Sequence, residues 1–184
     1  LIIVFQQEIR KFLLVVGSAT FSRRRGLKSM FTLGNSETNA LATEAVVSAL
    51  KNLAATKTGV LLVVERKDPL GAFAGTGHNL GATVSRIVLE TIFFKNAPLH
   101  DGATIITGNT VSAAGAILPL SESNELPSQF GLRHRAAAEI SERTDAMALT
   151  VSEETGNMHI FYDGTFEKRT ANTLEKKIQE VLTG

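Results

Sequence analysis

The chain has 184 residues, with 19 Lys and Arg against 18 Asp and Glu, a formal net charge of +1 and no cysteine. This length suits one domain with a substantial core. The near-balanced charge argues against broad nonspecific binding of nucleic acid, which needs an excess of Lys and Arg. The lack of cysteine excludes a disulfide framework, a Cys-based zinc site and a cysteine nucleophile.

The first segment, LIIVFQQEIRKFLLVVG, is apolar at helical spacing, but charged and amide residues interrupt it too soon for a bilayer span. We expect an amphipathic helix there, followed by a basic linker, over residues 1–36. Because the sequence begins at Leu1 rather than Met, we also expect an upstream segment. The cluster Arg23-Arg24-Arg25 suits the cytoplasmic side of an upstream span, or equally a solvated loop.

Residues 37–184 are interpreted as the domain proper. Apolar spacing predicts a helix over about 37–56, capped by Ser36 or Thr38. Gly59 then opens VLLVVE, which is typical of a buried central strand. The glycine-rich LGAFAGTGHNLGA fits neither G-x-G-x-x-G nor a Gly-Lys-Ser/Thr loop, so we expect a flexible loop. A helix from Ala82 to about Lys95 follows.

The second half of the chain alternates strand and helix signals. ATIITGNTVSAAGAILPL predicts two strands around Gly108-Asn109, and residues 134–143 predict a helix. MALTVS predicts a strand, NMHIFYDGTFEKR a hairpin and ANTLEKKIQEVL a terminal helix. The element order predicts an α/β fold of mixed character, with a central mixed β-sheet flanked by helices.

The chain contains two Asp-Gly pairs, and their surroundings differ. Asp163-Gly164 lies between strand-like segments, as expected of a hairpin turn. Asp101-Gly102, in NAPLHDGATII, follows a helix and has no strand directly before it. Asp101 is therefore interpreted either as part of a turn or as an active-site carboxylate.

Two further segments place polar groups at the ends of elements. GLRHRAAAEISER puts Arg133, His134 and Arg135 at a helix N-terminus, where backbone N–H groups, the helix dipole and guanidinium groups would converge on an anion. A solvated basic turn is the alternative. VSEETGN ends a strand, either as a simple turn or as a hydroxyl and carboxylates placed beside phosphates or a metal. No H-E-x-x-H or G-x-S-x-G motif supports a hydrolase.

The blocks PLHDGATII, AGAILPLSES, GLRHRAA, ISERTDA and VSEETG, in this order and spacing, resemble the signature of the diadenylate cyclase (DAC) domain family. IIVFQQEIRKFL resembles the juxtamembrane helix of its membrane-anchored, CdaA-type branch. The resemblance covers nearly the whole chain and implies the DAC-domain fold. It implies condensation of two ATP into cyclic di-AMP (c-di-AMP) and two pyrophosphates, each 3′-hydroxyl attacking the α-phosphate of the other ATP.

The same resemblance implies partners and a location. Because one domain holds half of the reacting pair, a second DAC domain is expected in a head-to-head homodimer. An upstream transmembrane segment would make this chain the cytoplasmic domain of a bacterial inner-membrane protein. No nucleic-acid partner is expected. Phosphoryl transfer also implies a divalent cation, Mg²⁺ or Mn²⁺, on oxygen-rich ligands.

The resemblance also implies roles for individual residues. Asp101 would bind the metal and orient or deprotonate the 3′-hydroxyl. Gly102 would let the backbone approach the nucleotide, and Ala103 would keep that wall small. Arg133 and Arg135 would contact phosphates and fix their loop. The remaining implied contacts are metal or phosphate for His134, phosphate for Ser152, metal or ribose for Glu153 and Glu154, and adenine for Leu118.

Three positions depart from the family pattern. Leu132 stands at a nucleotide-binding position where many members have threonine, Glu139 replaces a common glycine, and Gly81 replaces a frequent aspartate. Two alternatives to an active enzyme are also considered. One is a catalytically weak module that binds ATP or c-di-AMP and signals to a partner, and the other is a generic α/β interaction domain.

Overall fold

The structure is a computed structural model, and it describes residues 40–123 and 125–184. The expected amphipathic helix, the basic linker, Ser36 and Thr38 lie outside these residues. Within the described ranges, no helix combines the length and the hydropathy needed to cross a bilayer.

The described residues form five helices and one sheet of seven strands. In chain order they are α1 (Thr43–Ala55), β1 (Val60–Val64), α2 (Gly71–Ala74), β2 (His78–Thr83), α3 (Arg86–Ile92), β3 (Ala103–Thr107), β4 (Thr110–Ala116), α4 (Leu132–Arg143), β5 (Met147–Val151), β6 (Met158–Tyr162), β7 (Thr165–Arg169) and α5 (Ala171–Thr183).

The sheet has the strand order β2-β4-β3-β1-β5-β6-β7. Strand β1 runs parallel to β3 and antiparallel to β5, and the other neighbouring strands pair antiparallel. The predicted mixed sheet is therefore confirmed. All five residues of β1 are buried, as expected of a strand covered on both faces.

Helices cover both faces of the sheet. On one face, α1, α3 and α5 pack against alternate residues of β1, including Leu62. On the other face, Leu61 and Val63 pack against α4 through Ala137 and Ile140. Because successive strand residues point to opposite faces, one central strand contributes to both halves of the core.

The predicted loop in residues 70–82 is wrong. The chain there forms the short helix α2 and the edge strand β2, which pairs with β4. Its register shifts between Asn79 and Ala82, where Gly81 has a positive φ of 64°. An irregular, largely exposed edge strand carries no apolar alternation, which explains why periodicity does not reveal it.

Two predicted helix starts also move. Helix α3 begins at Arg86 rather than Ala82, because the Ser85 hydroxyl accepts a hydrogen bond from the Val88 N–H and caps the helix there. Helix α1 begins at Thr43 after Ala42, which provides no side-chain cap. The predicted caps Ser36 and Thr38 are therefore wrong.

The hairpin at Asp163-Gly164 is confirmed. It joins β6 to β7 with Tyr162 opposite Thr165. Both turn residues have positive φ, 47° and 70°, as a type I′ turn requires.

The strand directions bring distant segments to one end of the sheet. Since β1 and β3 are parallel, both begin at this end, and β5 ends there with Val151 opposite Val60. The segments that flank these strand ends contain Gly59, Asp101 and Glu153.

Candidate active site

Arg133 connects the two acidic candidates at this end of the sheet. It lies in the first turn of α4, which begins at Leu132 after Gly131, two residues before the predicted start at His134. Its Nη1 donates a 2.9 Å hydrogen bond to Oε2 of Glu153, and its Nη2 lies 3.9 Å from Oδ1 of Asp101. The Arg133 side chain is 22 % exposed, whereas the Asp101 and Glu153 side chains are largely exposed. The structure thus brings Asp101, Arg133 and Glu153 together.

Gly59, which sequence reasoning read only as the start of a strand, lies against this ion pair. A Cβ on Gly59 would lie 2.8 Å from Nη1 of Arg133 and 2.9 Å from Oε2 of Glu153. Any larger residue must displace one of the two side chains. A glycine directly before a buried central strand is the signal that could have identified this close approach.

Asp101 is presented by a turn that needs glycine. Gly102 has φ +91°, and a Cβ there would lie 2.7 Å from the carbonyl oxygen of Ala116 in β4. Glycine is therefore required at position 102 by the close contact with the neighbouring strand, and the expected approach of a nucleotide stays a prediction. The Asp101 side chain is 90 % exposed. The turn and the exposed carboxylate are both present.

His134 faces the core rather than the carboxylates. It is 4 % exposed, and its Nε2 lies 3.3 Å from Nδ1 of His159. Burial lowers the pKa of His134 to about 4, with His159 and Arg133 adding to the shift. Among the described residues, no three Asp, Glu or His side chains form a group able to hold a metal. The structure does not bring His134 to Asp101 and Glu153.

Arg135 secures the segment before α4. Its Nη1 donates to the carbonyl oxygen of Ser121 at 3.3 Å, and the Ser121 N–H donates to the carbonyl of Arg135 at 3.2 Å. These bonds agree with the loop-fixing role expected of Arg135.

The strand-end residues adopt a turn. The Ser152 hydroxyl accepts hydrogen bonds from the backbone N–H groups of Glu154 and Thr155, each at 3.3 Å. This turn directs Glu153 toward Arg133, while Glu154 is exposed. Residues 152–155 therefore form the predicted turn, and the same turn presents the Glu153 carboxylate.

The apolar candidates divide between core and surface. Ala103 and Leu118 are buried in the core under α4, with exposures of 0 % and 8 %. Leu132 is exposed, and so is Ile117, a residue 72 % exposed that directly precedes Leu118. Burial cannot be read from an isolated Ile-Leu pair, so sequence reasoning missed Ile117.

The other departures from the family pattern lie apart from the Arg133 cluster. Glu139 forms an ion pair with Arg143 one turn further along α4. Gly81 belongs to the edge strand β2, and a Cβ there would meet no atom of the described residues within 4 Å.

Two cavities meet at the Arg133–Glu153 pair. One, of about 120 Å³, lies beside Ser152 and Leu132. The other, of about 270 Å³, adds groups that sequence reasoning missed: Thr58, Lys95, Asn96 and His100. A larger cavity of about 550 Å³ lies at the opposite end of β1, beside Glu65 and Arg66. The site is therefore an open, polar surface and not the largest cavity.

The donor set fits a divalent cation when substrate is present. Asp101 and Glu153 direct two carboxylates toward one cationic group. Mg²⁺ in nucleotide sites commonly takes one or two protein carboxylates together with substrate phosphates. Two carboxylates without a third protein ligand match that pattern.

The sequence of the domain matches one family of proteins. Residues 47–166 match the family "DAC: DisA bacterial checkpoint controller nucleotide-binding". The chain therefore belongs to the DAC family, and the expected DAC-domain fold is confirmed.

Individual relatives agree with this assignment. The chain is 38 % identical to the cyclic di-AMP synthase CdaA of Bacillus subtilis over 182 residues, 99 % of this chain and 63 % of that protein. It is 44 % identical over 119 residues to the diadenylate cyclase CdaS of Bacillus thuringiensis, 65 % of this chain and 59 % of that protein. The chain thus spans less than two thirds of the length of these relatives.

A solved structure shares the fold. The crystal structure of a double mutant of DacA from Staphylococcus aureus superposes with a TM-score of 0.75 and 36 % sequence identity. The match covers 77 % of this chain and 95 % of that one.

Proposed function

We propose that this chain is a diadenylate cyclase domain that condenses two ATP into c-di-AMP and two pyrophosphates. The observation that carries the proposal is the Arg133 guanidinium set between Asp101 and Glu153 at one end of the sheet. Membership of the DAC family and relatives named diadenylate cyclase and cyclic di-AMP synthase support it.

In the proposed reaction, the 3′-oxygen of one ATP attacks the α-phosphorus of the other. The bond between that phosphorus and the bridging oxygen breaks, and pyrophosphate leaves with the electron pair. Asp101 is exposed and so can orient the 3′-hydroxyl and accept its proton. Repeating the attack in the opposite sense closes the ring.

Charge neutralisation falls to the basic residues. Arg133 places a positive charge where phosphates would lie, and the free N–H groups at the start of α4 add to it. Arg135 fixes the preceding segment and so shapes the same wall. Ser152 and Glu154 lie beside Glu153 for contacts to phosphate or ribose. Because phosphoryl transfer needs positioning more than covalent help, this set suits the reaction.

Asp101 and Glu153 are the residues proposed to hold Mg²⁺ or Mn²⁺. The cation would supply charge neutralisation on the phosphates and lower the pKa of the attacking hydroxyl. His134 is left out of this set because it is buried against His159.

An exposed apolar side chain supports a nucleobase position. Leu132 is accessible and lines the cavity of about 120 Å³ beside Arg133 and Glu153, and an adenine ring packed on it would remove apolar surface from water. Leu118, the expected adenine contact, would act from beneath as part of the core.

The reaction needs two sites face to face, so a head-to-head homodimer is part of the proposal. The relatives' similarity along 99 % of this chain supports the membrane-anchored, CdaA-type architecture, with the domain on the cytoplasmic side of a bacterial inner membrane.

The test is product analysis by chromatography after incubation with ATP and either Mg²⁺ or Mn²⁺, over a range of protein concentrations. We expect c-di-AMP and pyrophosphate in a ratio of one to two, with a rate per protomer that rises with concentration as dimers form. ATP binding without any cyclic dinucleotide under either metal would identify the binding module instead.

A further inference from the structure

A buried imidazole pair lies directly behind the Arg133–Glu153 ion pair. His134 on α4 and His159 on β6 are 4 % and 9 % exposed, and their facing nitrogens, Nε2 and Nδ1, lie 3.3 Å apart. Burial lowers the pKa of both rings. The two imidazoles are neutral near pH 7, so one ring donates an N–H and the other accepts it.

Aromatic side chains enclose this pair. Phe130 stacks on His134 with ring centres 4.5 Å apart and meets His159 edge-on at 5.1 Å. Phe161 and Phe166 complete the enclosure around Phe130. Breaking the hydrogen bond of a polar pair in such surroundings is costly in free energy, because water cannot replace the lost partner. The orientation of His134 is therefore held tightly.

The orientation of His134 sets the directions of its two neighbours. Successive residues on an α-helix point about 100° apart. With His134 turned into the core, Arg133 points toward Glu153 and Arg135 points toward the carbonyl of Ser121. Rotation of the first turn of α4 would carry both arginines away from these partners.

We propose that His159 is a positioning residue for Arg133 and acts through His134. The proposal rests on the proposed function where it assigns Arg133 to the phosphates of ATP. An apolar side chain at position 159 would leave Nε2 of His134 buried without its hydrogen-bond partner, which lowers stability and frees the His134 ring from its present orientation. The histidine pair therefore serves the geometry of the site.

The first experiment compares His159→Leu with His159→Asn, whose amide can replace Nδ1. We expect His159→Leu to fold but to weaken ATP binding and lower kcat/KM by about tenfold, with His159→Asn retaining most of both. Phe166→Leu is the matched control, because Phe166 contacts Phe130 and makes no hydrogen bond to His134. An equal loss in Phe166→Leu would overturn the proposal.

A double-mutant cycle with Arg133→Ala tests the path of the effect. If His159 acts through Arg133, His159→Leu weakens ATP binding in the parent and has little further effect in Arg133→Ala. If the losses in the free energy of ATP binding, calculated from the dissociation constants, are additive, the proposal is contradicted.

A measurement without ATP separates this proposal from the proposed function. Nε of Arg133 is buried and has no hydrogen-bond partner in the described residues. Its N–H resonance in ¹⁵N spectra can be assigned by its loss in Arg133→Ala. We expect this proton to exchange faster with solvent in His159→Leu than in the parent, and to exchange at the parent rate in Phe166→Leu. Unchanged exchange in His159→Leu would refute the positioning role, whether or not the chain converts ATP.

Discussion

Nη1 of Arg133 donates to Oε2 of Glu153 at 2.9 Å, joining the first turn of α4 to the end of β5. Nη2 lies 3.9 Å from Asp101, so one cation faces two carboxylates. These three side chains carry a net negative charge, which suits a divalent cation bound together with substrate phosphates, and most of the predictions below depend on this arrangement.

Replacing Arg133 removes the charge at the centre of the site. We expect Arg133→Ala to lower kcat/KM for ATP by about 100-fold or more, as loss of a charged donor to a transition state commonly does. Stability should change by about 1 kcal/mol or less, because the partner carboxylates are exposed. Arg143→Ala is the control, since Arg143 is also paired on α4, with Glu139. A comparable loss of activity in Arg143→Ala would show that the effect belongs to the helix in general.

The two Asp-Gly turns provide a matched pair for testing Asp101. Asp101→Asn keeps the shape but removes the negative charge, so we expect activity to fall by about 100-fold or more with the melting temperature unchanged. Asp163→Asn should leave activity intact, because asparagine tolerates the positive φ of that hairpin. Steady-state kinetics and thermal melts of both variants decide the matter. Full activity in Asp101→Asn would remove this residue from the proposed mechanism.

Gly59 tests whether the ion pair needs its present position. The methyl group of Gly59→Ala would overlap Nη1 of Arg133 and Oε2 of Glu153, both ends of long side chains that can move. We therefore expect a clear loss of activity, about tenfold, with little loss of stability. In Gly71→Ala the new Cβ meets no described atom within 4 Å, and activity should be kept. Wild-type kinetics in Gly59→Ala would show that the pair tolerates displacement.

Gly102 tests the turn that presents Asp101. Gly102→Ala must adopt φ +91° and place a Cβ 2.7 Å from the Ala116 carbonyl, which is backbone and cannot move aside. We expect a loss of about 2 kcal/mol or more in the free energy of unfolding, or about 5 °C in melting temperature. Gly81→Ala shares the positive φ without the overlap, so it should cost only about 1 kcal/mol. Equal losses would assign the cost to φ alone.

The imidazole pair predicts a dependence of stability on pH. Burial is the main cause that lowers the pKa of His134 to about 4, and it also lowers that of His159, with Lys168 contributing. Below about pH 6.5 the unfolded chain binds protons on these rings while the folded domain does not. The free energy of unfolding should therefore be constant above pH 7 and fall as the pH drops through 6.5 toward 4.

Denaturant unfolding between pH 7.5 and 5 measures this dependence, mostly above the range where carboxylates titrate. The double variant His134→Leu/His159→Leu should show a shallower slope over that range. Identical slopes in parent and variant would mean that the pair does not titrate as its burial indicates.

Local patterns predicted the elements that have an apolar side. The run VLLVVE identified β1, and the Asp163-Gly164 turn fixed the β6–β7 hairpin. Edge strand β2 was missed because its residues are mostly exposed and its pairing is irregular. Apolar periodicity indicates which residues of an element are buried, and an edge strand with few buried residues shows no such periodicity.

The charged residues of the candidate site were predicted from the sequence, but the residues that position them were not. Asp101, Arg133 and Glu153 stood out by type and position, and they lie together. The closeness of Gly59 to Arg133 and the inward turn of His134 depend on the register between strands and on the rotation of α4. Neither is encoded in the residues next to them along the chain.

The antiparallel pairing of β5 with β1 sets the order in which this site can form. Gly59 precedes the central strand, yet its contacts with Arg133 and Glu153 require β5 to join the opposite side of that strand. A chain emerging from the ribosome up to α4 would carry Asp101 and Arg133 without the carboxylate that orients the guanidinium. The binding surface therefore arises late in synthesis, as a property of the finished sheet.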